Sequence, residues 1–147
     1  MRAVLLFLCL IMVAGAPVAQ AESSLGPRAG LNGGGDDIYL GAQMEFMAQF
    51  GAFSLVPSFD FGPGTDAPSV ANADFRIYVF PLPETGMRFY GGAGPSMMLS
   101  GDLELGLSLT VGLNIPMKGS RRYNVEYRWG LGDIPDHKLG LAVMFGL

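Results

Sequence analysis

Lysine, cysteine and histidine are nearly missing from this chain, and each shortage removes a class of function. Of 147 residues, Cys9 is the single cysteine, His137 the single histidine, and Lys118 and Lys138 the two lysines. Cys9 lies inside a leading apolar run, so the rest of the chain has no disulfide framework, thiolate metal site or cysteine nucleophile. One histidine cannot make a metal-spaced histidine cluster, and no phosphate-cradling loop motif is present. Charge is scarce as well: 15% of residues are charged, against about 25% in a soluble domain. The formal net charge is −4 with no basic patch, which argues against nucleic acid as a partner. No later segment of about 20 consecutive apolar residues exists, so a transmembrane helix is excluded.

What is present begins with a targeting segment. Arg2 supplies a short positive region, an apolar run follows to about Val13, and Gly15 and Pro17 break it. Ala19-Gln20-Ala21 then reads as a small-x-small cleavage signal before Glu22. The expected organisation is residues 1–21 as a cleaved signal peptide and residues 22–147 as one domain. Cys9 lies far upstream of the cleavage point, which rules it out as a lipidation site.

Beyond the signal the hydrophobic period is two, not 3.6. Residues 103–116 are the clearest case. Leu103, Leu105, Leu107, Leu109, Val111, Leu113 and Ile115 share one face, and Glu104, Gly106, Ser108, Thr110, Gly112 and Asn114 share the other. The same rule predicts strands over 25–32, 38–47, 53–62, 71–82, 87–99, 122–130 and 139–147, eight in all. Glu84-Thr85-Gly86 suits a three-residue hairpin with Gly86 left-handed, and Ser100-Gly101-Asp102 and Lys118-Gly119-Ser120 look similar. The register of the first of these sets Tyr78 opposite Gly92. Pro57 and Pro95 fall within predicted strands, where a bulge or local distortion is expected.

Alternation alone does not say which face is inside. Three features point the apolar face outward, to lipid. The polar face mixes its charges with Gly, Ser and Ala, which suits a cramped lumen. The apolar face is almost free of charge, as lipid requires. Aromatic residues gather toward strand ends as girdles, with Phe46, Phe53, Phe89, Tyr123 and Phe145 at one rim and Phe59, Phe61 and Trp129 at the other. The predicted fold is all-β, an antiparallel up-and-down transmembrane β-barrel of about eight strands with a filled polar lumen.

In this pattern the chain resembles the small outer-membrane barrels typified by the OmpA membrane domain, OmpX and opacity-type proteins. The resemblance rests on the export signal, the eight alternating strands and a last strand, LGLAVMFGL, that ends the chain. It implies residence in the bacterial outer membrane, contact with lipid and lipopolysaccharide, and handling by the barrel-assembly machinery. That machinery reads a terminal aromatic in such proteins; here the last residue is Leu147 and Phe145 stands two before it. A monomer is expected.

The strongest polar signal is the inward charge set Arg28, Glu45, Asp60, Asp74, Arg76, Arg88, Glu104, Glu126 and Arg128. Buried charges must be paired or hydrated. The set is expected to form a salt-bridged structural plug, with Arg76 held bidentately by a carboxylate. A narrow ion path is the alternative. The His-x-Ser arrangement of PagL-type lipid deacylases is absent, since His137, which lies in a predicted solvated loop, is followed by Lys138 and Leu139. No catalytic residue, cofactor or metal site is predicted. Acidic residues Asp36, Asp37, Asp66, Asp102, Asp133 and Asp136 collect at one end, where they could meet divalent cations. Lys118, Arg121, Arg122 and Glu84 collect at the other. The short connections argue against adhesion through protruding strands, and no peptidoglycan-binding domain is expected. The reading is a non-catalytic barrel with a structural or membrane-integrity role, with a small passive pore or a lipid-modifying enzyme as rivals.

Overall fold

The computed structural model describes residues 22–33, 37–48, 52–63, 69–99, 103–132, 134 and 137–147. The expected signal segment, the GGGDD turn between strands one and two (in part) and the turn at 100–102 lie outside them.

Among the described residues eight strands form: β1 (Glu22–Asn32), β2 (Ile38–Met47), β3 (Phe53–Phe61), β4 (Val70–Pro81), β5 (Arg88–Met98), β6 (Glu104–Pro116), β7 (Arg121–Gly132) and β8 (His137–Gly146). Each pairs antiparallel with its neighbour in sequence, and β8 pairs back onto β1 to close the barrel. Closure leaves no unpaired sheet edge, the condition for a β-structure in lipid. The stagger follows from the ladders. One cross-strand row runs from Glu22 through Met47, Ser54, Arg76, Gly92, Thr110, Arg128 and Lys138 to Asn32. The row starts and ends on β1, but its end lies ten residues further along the strand. Such a shear requires the strands to tilt against the barrel axis.

The alternation reads inside out. Leu105 is 64% exposed and Arg76 is 0% exposed. Outward positions carry Leu, Ile, Val and Phe; inward positions carry Arg, Glu, Asp, Asn, Ser, Tyr and Gly. An eight-stranded barrel leaves room for side chains and little else. Inward glycines make space for the largest of them. A Cβ on Gly112 would stand 2.3 Å from the Tyr90 ring, and one on Gly140 would stand 2.2 Å from the Tyr39 hydroxyl.

At Pro57 and Pro95 the expected distortion takes the form of a lapse in pairing, not a bulge. Neither Pro57 nor Pro95 shifts the register. Instead the pairing lapses beside each, between Gln43 and Phe46 on β2 opposite Pro57 and between Asn72 and Phe75 on β4 opposite Pro95. Each lacks the N–H that would have bridged to that side, while the ladder on its other side runs on. Pro27 does the same on the β1–β8 side. The register shift lies between Val79 and Pro81 on β4.

The hairpins differ in size. Gly86 is left-handed at φ 67°, as predicted, but Leu82 and Met87 close a four-residue loop, with the Gly86 N–H donating to the Leu82 carbonyl at 3.0 Å. The turn after β6 has three residues, Lys118 to Ser120, between Met117 and Arg121, with Gly119 at φ 78°. The β4–β5 register places Tyr78 opposite Tyr90 and Arg76 opposite Gly92, two residues from the predicted pairing. The faces survive because the slip is an even number of residues.

Candidate functional site in the charged lumen

Glu126 on β7 is the hub of the interior. Its Oε1 accepts from Arg28 Nη2 at 2.6 Å and Arg128 Nη2 at 3.3 Å. Its Oε2 accepts from Arg76 Nη2 at 2.5 Å and the Tyr90 hydroxyl at 3.2 Å. Three strands thus aim a guanidinium at one carboxylate, and all three arginines are buried. Two further carboxylates share the load. Asp74 accepts from Arg128 Nη2 at 2.5 Å and the Ser108 hydroxyl at 2.7 Å. Asp60 faces Arg28 Nε at 3.1 Å and Lys138 Nζ at 3.2 Å.

A second cluster lies toward the end where β1 begins and β8 finishes. Glu45 accepts from Arg122 Nη2 at 2.5 Å and from the Tyr78 hydroxyl, and Arg122 Nη2 also donates to Ser24 at 2.6 Å. Outside this cluster the barrel end opens as a cavity of about 680 Å³, whose wall includes Glu22, Arg88, Asn114, Arg121 and Arg122.

Seven of the nine predicted inward charges are therefore joined: Arg28, Glu45, Asp60, Asp74, Arg76, Glu126 and Arg128. Arg88 and Glu104 are not. Both have inward parity, but Arg88 is exposed at the open mouth and Glu104 is half-buried at the start of β6, and neither makes an ion pair among the described residues. Arg76 departs from the predicted bidentate hold. One nitrogen reaches Glu126, and the guanidinium lies over the Tyr90 ring with its carbon 4.6 Å from the centroid. Aromatic faces attract such cations.

Two members were missed. In the sequence Arg122 stands at the rim, as the first residue of a predicted strand, and Lys138 just before one, yet both side chains turn inward to a carboxylate. Extending the period by one step at each strand end would have found them. His137 is likewise the first residue of β8 rather than part of a loop; it is exposed and its Nδ1 lies 3.0 Å from the Tyr127 hydroxyl. Of the predicted acidic rim, Asp37 is described and exposed, while Asp36, Asp66, Asp102, Asp133 and Asp136 lie outside the described residues. The aromatic rims stand where predicted, with Phe53, Phe89 and Phe145 exposed at the end holding the termini and Phe59 and Phe61 toward the other.

The closed eight-strand ladder with an apolar exterior and a charged interior decides the architecture. Its fold is that of the small outer-membrane β-barrels. The N-terminal β-barrel domain of Pseudomonas aeruginosa OprF is similar over 86% of this chain and 98% of that one, with a TM-score of 0.70 at 14% identity. A de novo designed transmembrane β-barrel matches over 86% of this chain and 96% of its own, with a TM-score of 0.67 at 9% identity. Neisserial surface protein A matches over 86% and 96%, with a TM-score of 0.61 at 10% identity. No protein-family model and no curated protein sequence matches the chain. Since a designed barrel fits almost as well as a natural one, this fold carries no biological task by itself. Any task must be argued from the lumen and the outer face.

Proposed function

We propose that this protein is an exported, monomeric, integral outer-membrane barrel whose lumen is closed by ion pairs and whose role is structural: it supports the integrity of the membrane without catalysis. The observation that carries this reading is the convergence of Arg28, Arg76 and Arg128 on Glu126, buried at mid-barrel. A conducting pore needs a continuous wet path, whereas these side chains pair across the lumen. Removal of residues 1–21 on export, recognition of the last strand by the barrel-assembly machinery, and contact of the apolar belt with lipid and lipopolysaccharide belong to the same proposal.

The cavity at the mouth supports a second reading, a small passive pore, because it gives solvent a vestibule that reaches Arg122. Planar-bilayer recording of purified protein separates the two. The structural reading expects background conductance in wild type and in Arg76→Met. That variant leaves Glu126 short of one partner and should lower the temperature at which the barrel loses its compact gel mobility. Unchanged thermal stability together with a newly open channel would put the pore ahead. Recovery of the protein from a soluble periplasmic fraction would end both readings. A deletion strain with increased outer-membrane permeability is the expected phenotype.

A further inference from the structure

Eleven buried side-chain polar atoms lack hydrogen-bond partners among the described residues, and five of them fall on three residues of one row. Arg76 contributes Nε and Nη1, Arg128 contributes Nε and Nη1, and Thr110 contributes its hydroxyl. All three residues are at most 2% exposed. They also share one cross-strand row, Arg76 on β4, Gly92 on β5, Thr110 on β6 and Arg128 on β7. The two guanidiniums meet on the opposite oxygens of Glu126. A Cβ on Gly92 would lie 2.7 Å from Thr110 Oγ1 and 3.0 Å from Arg76 Cγ, so the hydroxyl and the arginine stem share the space over that bare backbone.

Two further facts say what chemistry this region wants. Among the described residues, the ion pairs of the interior join five cations, Arg28, Arg76, Arg122, Arg128 and Lys138, to four carboxylates, Glu45, Asp60, Asp74 and Glu126. The four free guanidinium positions can only donate, because arginine has no acceptor. A water placed among them could pass its hydrogens to Thr110 Oγ1 and to the remaining lone pairs of Asp74, but it brings no charge. An anion accepts from every side and brings no hydrogen.

We propose that the lumen binds one small monatomic anion, chloride in ordinary media, on the free Nη1 donors of Arg76 and Arg128 with the Thr110 hydroxyl as a third donor. The anion balances the extra cation and completes the row. The inference concerns the interior of the barrel and holds whether the protein is a scaffold or a pore.

The test is refolding of the urea-unfolded full chain into detergent with sodium chloride, bromide or gluconate at equal ionic strength, followed by thermal melting read by circular dichroism. Chloride and bromide should raise the midpoint saturably, and gluconate, too large for the lumen, should not. Crystals grown in bromide should show an anomalous peak within hydrogen-bond reach of both arginines. Thr110→Val keeps the side-chain shape and removes one donor, so it should need about tenfold more bromide for half-saturation, as loss of about 1.4 kcal/mol predicts. Equal midpoints in all three salts, or bromide crystals without that peak, would overturn the proposal. So would a Thr110→Val barrel that saturates at the wild-type bromide concentration.

Discussion

Glu126 and Glu45 are the same kind of group on the same face of the same barrel, and their surroundings differ in depth. Around Glu126 every cationic partner is buried, and four donors converge. Glu45 is itself fully buried, but the side chain of its cation Arg122 is 20% exposed, on the wall of the mouth cavity. At mid-barrel a charge that loses its partner has no water to turn to. Near the mouth it can hydrate. Depth along the axis, more than the number of contacts, should therefore set how much each pair matters.

The largest effect belongs to the hub. Glu126→Gln leaves three guanidiniums facing a neutral amide, and removing one partner of a buried pair costs about 3–5 kcal/mol. Urea unfolding from detergent should show a fall of that order. Glu45→Gln tests the other side of the comparison. Arg122 retains Ser24 and gains water, so the loss should be nearer the cost of a buried unsatisfied group, about 1–3 kcal/mol. Equal losses at both sites would show that depth does not matter here. Gly86→Ala acts at the same end but on the backbone, where a left-handed residue with a side chain costs about 1–2 kcal/mol. Thr85→Ala in the same turn should melt at nearly the wild-type temperature. The smallest effect is expected for Arg88→Met, which removes an exposed charge with no ion pair among the described residues. A melting temperature that falls as far as in Glu45→Gln would show that the mouth is as tightly coupled as the centre.

Much of this comparison was open to a reader of the sequence, and one part was not. Period two separates the faces because successive side chains of a strand point to opposite sides. That is why Arg28, Glu45, Asp74, Arg76, Glu126 and Arg128 could be placed inside. Strand ends were harder. The run around His137 and Lys138 is polar enough to look like a loop, although Lys138 is an inward strand residue paired with Asp60. Depth was invisible, because it depends on how far each strand is offset from the next. Arg88 and Arg28 carry the same alternation signal, yet the stagger of the ladders puts one at an open mouth and the other on Glu126. The slip of two residues between Tyr78 and its partner has two sources of the same kind: the turn is one residue longer than expected, and the register shift between Val79 and Pro81 adds the second residue.

Pro27 has a consequence for how the cylinder is put together. Seven of the ladders join strands that follow one another in the chain, so each can zip from a local turn. The ladder between β1 and β8 alone joins the two ends of the domain, and its closure must gather the whole sheet first. Pro27 stands in that seam, where the pairing lapses between Leu25 and Arg28. The latch of the barrel is thus fastened in two separate stretches, one near the termini and one at mid-height and above.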